Sequence, residues 1–413
     1  MPNIGIVGAG VAGLHLGIAL RRHGIETTIY ADRSADDLAS GGLLNTVMHH
    51  HLTLAREKRL GVDHWDAAEH GWQYRYQHIH GPAGCSYAAA APGPSLAVDY
   101  RLYLPTLMTD FAQAGGRLIV YPLGLDELET FSNRHDLLVV ATGRSSMQLL
   151  FPTRDDLAGR SGVRRSIVAA LVLGVTRPDP EGVTISFCPG VGELIEFPML
   201  TAGGKTTALL LETVPAGVAD DLVSISPDTD PVAFTTRLRT VLADHFPGTS
   251  ERIDESSFAL VSPRDTLRGS LAPTIRKGSS RLPGGRLAVA LGDTHVLVDP
   301  VMGQGANIAS YSAEVLADAI AADLDLDDLF CSRLNAEREP VLHAAYAWTN
   351  LVLDAPAHLL ALHRRAAANN DIAADFARRY SDPELMWRTV ATRQRAARYL
   401  EAFASPHATS EEK

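Results

Sequence analysis

The 413-residue chain carries 37 Lys and Arg against 48 Asp and Glu, a formal charge of −11, and is 46% apolar. That is the composition of an ordinary soluble globular protein with room for two or three lobes. The negative balance argues against nucleic acid and against an anionic membrane surface as partners. Cys85, Cys188 and Cys331 are widely spaced, with no Cys-x-x-Cys pair. They suggest a reducing compartment, the cytoplasm, and neither a disulfide framework nor a zinc site. No basic leader precedes the first strand, so no signal peptide is expected. The longest apolar run, 167–175, is too short to cross a bilayer.

In chain order, residues 4–7 read as a buried strand that runs into Gly8, Gly10 and Gly13 at Gly-x-Gly-x-x-Gly spacing. Gly8 permits a sharp turn, Gly10 lets a pyrophosphate approach the backbone, and Gly13 lets helix and strand pack closely. The amides at the helix start, at Val11 and Ala12, face the phosphates with a favourable dipole. A second strand, 27–30, ends just before Asp32 and Arg33, and Asp32 suits a ribose hydroxyl. This strand–turn–helix–strand–acid order marks a dinucleotide site.

Residues 81–95 are rich in Pro, Gly and Ala and read as a loop. Residues 97–116 read as a helix stopping at Gly115-Gly116, with Arg101 near its start. Residues 135–146 hold a buried strand ending in Thr142-Gly143. About 140 residues of mostly β pattern follow, with a hairpin over 182–200 turning at Pro189-Gly190-Val191-Gly192 and another strand after it. A last buried strand, 287–291, leads to Gly292-Asp293 and then "DPVMGQGANIAS". FAD is long enough to need both ends of such a chain: the first loop for its pyrophosphate, Asp293 for a ribityl hydroxyl. A helix beginning near Gly303-Gln304-Gly305 aims its positive end at the flavin N1–C2=O edge. From 329 to 403 the pattern is helical, with Trp348 and Trp387 as core residues, and the tail from Ser405 is frayed. Three histidines in a row, His49–His51, point in different directions, so no metal site is expected.

The chain resembles the styrene/indole monooxygenases, the FAD-dependent epoxidases of two-component systems, over nearly its whole length. The resemblance rests on "GIVGAGVAGLHLG", "LLNTV" (43–47), "AVDYRLY" (97–103), "DLLVVATG" (136–143), "PGVGELIE" (189–196), "LGD" (291–293), "DPVMGQGANIASY" (299–311) and "WTN" (348–350). It implies an α/β fold: a Rossmann-like, glutathione-reductase-type FAD domain (1–160 plus 281–330, with 45–100 on the substrate side). It also implies an inserted β-rich substrate domain (161–280), C-terminal helices (331–405) and a flexible tail (406–413). It implies that an NADH-dependent flavin reductase supplies reduced FAD. O2 then forms a C4a-hydroperoxide whose distal oxygen passes to a styrene-like alkene, to indole or to a thioether. A homodimer is implied as well. Carried over position by position, Leu44, Asn45 and Thr46 stand beside the isoalloxazine and substrate. Arg101 contacts FAD, while Pro300, Gly303, Gly305, Ala306 and Asn307 flank the flavin ring. Val47, His49 and Ser95 match cavity-edge positions of the styrene-preferring branch, whereas Trp72 and Arg75 depart from it.

Oxygen transfer to an alkene requires no protein nucleophile, and the sequence has neither a Gly-x-Ser-x-Gly elbow nor a His-Glu-x-x-His motif. It requires a dry, shaped cavity. The alternatives are an indole-preferring member of the family, a one-component NAD(P)H aromatic hydroxylase, a flavin halogenase, and a non-redox binding module. The hydroxylase usually carries Asp-Gly where this chain has Thr142-Gly143. The halogenase's Trp-x-Trp-x-Ile-Pro is absent here. A non-redox module would not need an intact 303–307 flavin edge.

Overall fold

The computed structural model describes residues 2–403 apart from 83, 155, 158–161, 283 and 324; the expected tail from Ser405 lies outside the described residues. A six-stranded sheet runs in the order Ser279–Arg281, Leu287–Ala290, Leu137–Val140, Asn3–Val7, Glu26–Ala31, Arg117–Val120. All neighbours in it are parallel except the antiparallel edge strand Ser279–Arg281. Its central strands read as unbroken apolar runs because both faces are covered: every residue of Leu137–Val140 and Leu287–Ala290 is buried. One face packs under the helices Val11–Arg22, Tyr100–Gln113 and Gly305–Ala322. The other packs on Leu128, Met147, Phe151 and Leu282.

The second sheet has eight strands and is antiparallel but for one parallel pairing, Tyr74↔Gly182 onward. The hairpin expected over 182–200 forms, as Gly182–Cys188 and Gly192–Thr201, and Gly204–Thr213 follows. Strict alternation divides this sheet's faces. Val168, Ala170, Val172, Leu209 and Leu211 pack on one side, and Ile167, Ala169, Leu171 and Leu210 on the other.

One expectation about this region is corrected and another is refined. The loop expected over 81–95 gives way from Cys85 onward: Cys85–Ser95 is an eleven-residue strand paired antiparallel with Trp72–Ile79. It lies at the sheet's edge and its register slips between Trp72 and Tyr74. Edge position and bulge are where prolines such as Pro92 and Pro94 are tolerated. Its alanines let the helices Ala357–Ala368 and Asn370–Arg379 lie close. The inserted segment also holds a fifteen-residue helix, Pro231–His245, that the β reading passed over. Asp230 caps it through the Ala233 N–H, and Pro231 occupies its first turn, where its missing N–H is harmless. Phe234, Leu238, Val241 and Leu242 cover the sheet's back, each worth about 1.5–3 kcal/mol of burial.

C-terminal helices from Asp328 onward close the remaining face, with Trp348 2% exposed in the core. Trp387 packs partly buried beside them. Among the described residues no helix is long and apolar enough to cross a membrane.

Candidate active site

One cavity of about 570 Å³ runs between the two sheets. At one end it is walled by Gly8–Ala12, Asp32 and Arg33; in the middle by Thr142, Gly143, Gly292 and Asp293. At the other end are Leu44–Met48, Pro300, Gly303, Gly305 and Ala306. The second sheet contributes an apolar roof from Ile167, Leu210 and Leu267, extended by Leu271 just past its last strand residue. The stretches that begin and nearly end the chain therefore meet on one surface.

The glycine loop is built as its spacing requires. Gly8 has φ +112°, and a Cβ there would lie 2.3 Å from the Ala141 oxygen. A Cβ on Gly13 would lie 2.0 Å from the Gly8 oxygen, so helix and strand could not close. Gly10 differs: a Cβ there meets no protein atom within 4 Å and projects into the open cavity. Gly8 and Gly13 are thus set by the fold, while Gly10 leaves room for something outside it. The two helices that start on the cavity, at Val11 and Gly305, have no side-chain cap. Their first amides are free to meet negative charge.

Electrostatics agree with an elongated polar ligand. Burial pushes the Asp293 carboxyl up to about 6, against the pull of Arg144. Asp32 and Arg33 stay exposed and touch each other at 3.3 Å. Taken together, the open Gly10, two uncapped helix starts and a half-buried acid between them fit FAD, with its pyrophosphate at Gly8–Ala12 and its flavin edge at Gly303–Ala306.

The structure brings Leu44, Asn45, Thr46 and Val47 to the cavity wall, and Asn45 Oδ1 also accepts the Thr46 N–H at 3.1 Å. It keeps four expected residues off that wall. Arg101 is tied to Asp99 and Asp265, each at 2.5 Å. Its place on the helix explains this: residues 100, 103, 104, 107, 108 and 111 form the buried face, and Arg101 lies beside it. His49 is 5% exposed and held by Glu57 and Tyr100. Asn307 stands behind the Gly303 turn. Its Oδ1 accepts from the His50 N–H and Thr53 hydroxyl, and its Nδ2 donates to the Met48 and Gly303 carbonyls. Ser95 bonds His50 at 3.0 Å and lines a small adjoining chamber with Trp72, Arg75 and Tyr380. There Trp72 stacks on Phe197 and Arg75 lies over the Tyr380 ring.

The sequence reading missed Met48, Tyr100, Arg144 and residues 267–271, all of which line the cavity. For Tyr100 a signal existed, the helical periodicity just given. For Leu267–Leu271 none did, since only pairing with Ser166–Leu173 brings it there. Among the described residues no three His, Cys, Asp or Glu side chains converge as a metal site.

Comparison with known proteins gives a consistent pattern. The family model described as "Styrene monooxygenase A putative substrate binding domain" matches residues 143–252. Two relatives named styrene monooxygenase StyA, from Pseudomonas sp and Pseudomonas fluorescens, are 37% and 36% identical. Each match spans 97% of this chain and 98% of the relative. Among solved structures, the flavin-dependent brominase Bmp2 superposes with a TM-score of 0.68 at 15% identity, covering 97% of this chain and 99% of its own. A flavoprotein/dehydrogenase from Cytophaga hutchinsonii superposes with a TM-score of 0.67 at 14% identity, covering 98% and 100%. At such identities these two share the fold.

Proposed function

The chain belongs to the styrene monooxygenase family, and from that premise we propose that it is the epoxidase of a two-component system. It takes FAD already reduced by a separate NADH-dependent flavin reductase and uses O2 to epoxidise styrene-like vinyl arenes. Indole and aryl sulfides are secondary substrates. The observation that carries this reading is the single cavity joining the Gly8–Ala12 amides to the apolar wall of Val47, Met48, Leu210 and Leu267.

Reduced FAD, when bound, supplies with O2 an electrophilic oxygen atom. The chain's own residues bind, orient and keep the site dry. The amides at Val11 and Ala12 hold the pyrophosphate, and Asp32 accepts from a ribose hydroxyl. Asp293 accepts from a ribityl hydroxyl. The first amides of the helix at Gly305 stabilise negative charge on the flavin edge. Leu44–Val47 and the leucines of the second sheet present the alkene and exclude water, which protects a reactive oxygen donor from wasteful collapse. Trp72 and Arg75, where the family pattern is broken, belong to the adjoining chamber and leave the main wall unchanged. The free cysteines suit a cytoplasmic enzyme, and a homodimer follows from the resemblance.

The test is a mixing experiment. The purified chain alone should oxidise no NADH; with FAD, NADH and any competent flavin reductase it should convert styrene to its oxide. Rapid substrate-stimulated NADH oxidation by the isolated chain would make it a one-component hydroxylase instead.

A further inference from the structure

Beneath the cavity lies a buried hydrogen-bond network that the proposed function does not use. Tyr100 lines the cavity. Its hydroxyl is 3.1 Å from His49 Nε2, and His49 Nδ1 is 2.6 Å from Glu57 Oε1. The same carboxylate oxygen accepts the Tyr103 hydroxyl at 2.6 Å. The Tyr103 oxygen is 2.7 Å from His15 Nε2, and His15 Nδ1 is 3.1 Å from Ser310 Oγ. Glu57, at 4% exposure, has no Lys or Arg partner among the described residues: neighbouring Arg56 pairs with Glu314. Burying a carboxylate on an imidazole and a phenol alone is an expensive way to hold a helix in place.

Counting protons separates the two branches. Tyr103 gives its one hydroxyl proton to Glu57, so its oxygen must accept the His15 Nε2–H, and His15 Nδ1 must accept from Ser310. Burial, which drives His15 down to about 4, keeps it in that neutral form. This branch is saturated and fixed. On the other branch, His49 donates Nδ1–H to Glu57, but its bond to Tyr100 can run either way. Neutral His49 accepts the Tyr100 hydroxyl. Protonated His49 donates Nε2–H to the Tyr100 oxygen and frees the phenolic hydrogen to turn into the cavity. The one reversible bond in the network is the one that ends on the cavity.

We propose that Tyr100 hands a proton to an anionic oxygen generated in the cavity, and that His49, positioned by Glu57, reloads it. The Tyr100 O–H bond breaks as the acceptor's O–H forms. The His49 Nε2–H bond breaks as the Tyr100 O–H re-forms. His49 ends neutral, still donating Nδ1–H to the Glu57 carboxylate, and no electrons move. Burial, Glu57 and Asp293 push the phenol well above its usual range, so Tyr100 gives its proton only as it receives another. Burial opposes ionisation of Glu57, but His49 and the bonds from His49 and Tyr103 outweigh it and hold the carboxyl below its ordinary value. The charged and titratable groups around the relay are His15, Arg56, Tyr103 and Glu314, with Asp293 facing Tyr100. Tyr100 is the group that meets the reacting oxygen; His49 and Glu57 are positioning residues.

The inference rests on the proposed oxygenase function, and three measurements keep the two separable. FAD affinity of the full chain reports on that function: parent and Tyr100→Phe should bind alike, and a parent that binds no FAD overturns both ideas. A far-downfield imidazole N–H resonance from the His49–Glu57 bond should appear in proton NMR of the cofactor-free chain. It should persist in Tyr100→Phe and vanish in Glu57→Gln. Single-turnover epoxidation of styrene with chemically reduced FAD should slow about 100-fold in Tyr100→Phe, the usual scale of a general acid, and recover as pH is lowered. A Tyr100→Phe variant with the parent's rate and pH profile, or a parent without the downfield resonance, overturns the relay while leaving the oxygenase reading in place.

Discussion

Asn307 holds Met48: its Nδ2 donates to the Met48 carbonyl at 2.9 Å while its Oδ1 accepts the His50 N–H, two residues on, at 2.9 Å. Two segments some 260 residues apart are thereby clamped, and between them lies the end of the cavity where Leu44–Met48 faces Gly303. The fit is close, for a Cβ on Gly303, whose φ is +60°, would sit 3.1 Å from Met48 Cε.

Asn307→Ala should therefore destabilise the protein and loosen the active-site wall. Each buried partner left unsatisfied costs about 1–3 kcal/mol. Asn307→Asp keeps the shape but cannot donate to Met48 or Gly303, so it should fail similarly. Denaturant unfolding with styrene oxide enantiomer ratios checks both effects. An Asp variant as stable and selective as the parent would show that the amide donor is irrelevant.

Gly10 and Gly13 should part company on substitution. Gly13→Val drives a side chain into the Gly8 carbonyl and should yield little folded protein. A Cβ at Gly10 meets no protein atom within 4 Å, so Gly10→Val should fold normally and lose FAD binding. Thermal unfolding beside a flavin titration distinguishes the two. Strong FAD binding by Gly10→Val would move the pyrophosphate elsewhere.

Asp293 should make FAD binding depend on pH. Its carboxyl rises from 3.8 to about 6 through burial, so it is a good acceptor for a ribityl hydroxyl only above that value. FAD affinity should fall as pH drops through about 6, and Asp293→Ala should weaken it by about 1.5–3 kcal/mol at neutral pH. The stability sign is opposite. A carboxyl raised on folding favours the folded chain below its ordinary value, and that contribution is lost as pH rises through about 6. Asp293→Asn should then stabilise the cofactor-free chain at pH 8, by up to about 3 kcal/mol, and not at pH 4. Calorimetry of the cofactor-free proteins reads this difference.

Glu212 offers a second pH-linked acid. It is fully buried beside Asp299, whose Oδ1 caps the Val301 N–H at the turn leading to Gly303. Burial, then the neighbouring Asp299, raises the Glu212 carboxyl far above its usual value. Its contribution is present at low pH and lost as pH rises through that raised value. Glu212→Gln cannot ionise, so it should outlast the parent increasingly as pH rises into the alkaline range. A melting temperature that falls equally in both with rising pH would exclude Glu212 as the titrating group.

What was legible in the sequence was local. Gly8, Gly10 and Gly13 announce themselves because a phosphate turn needs no distant partner, and the alternation in 182–200 marks a hairpin with its own turn. The strand Cys85–Ser95 hid behind Pro, Gly and Ala, residues whose presence is explained by an edge position and by helices lying on it. His49 and Arg101 sit in telling motifs, yet their roles depend on Glu57 and Asp265, which no spacing joins to them. In both cases the neighbour at the right periodicity, Met48 or Tyr100, is the one on the wall.

The central claim is that oxygen transfer takes place between Leu44–Met48 and the Gly303 turn. The most direct measurement is the enantiomer ratio of styrene oxide, with the peroxide released, from Asn45→Ala and Val47→Ala fed chemically reduced FAD. About 1.4 kcal/mol between the two alkene faces changes the ratio tenfold, so both variants should shift the ratio or leak peroxide while FAD affinity at the pyrophosphate end stays nearly intact. If both keep the parent's ratio, substrate range and coupling, that stretch is only a structural turn and the active site lies elsewhere.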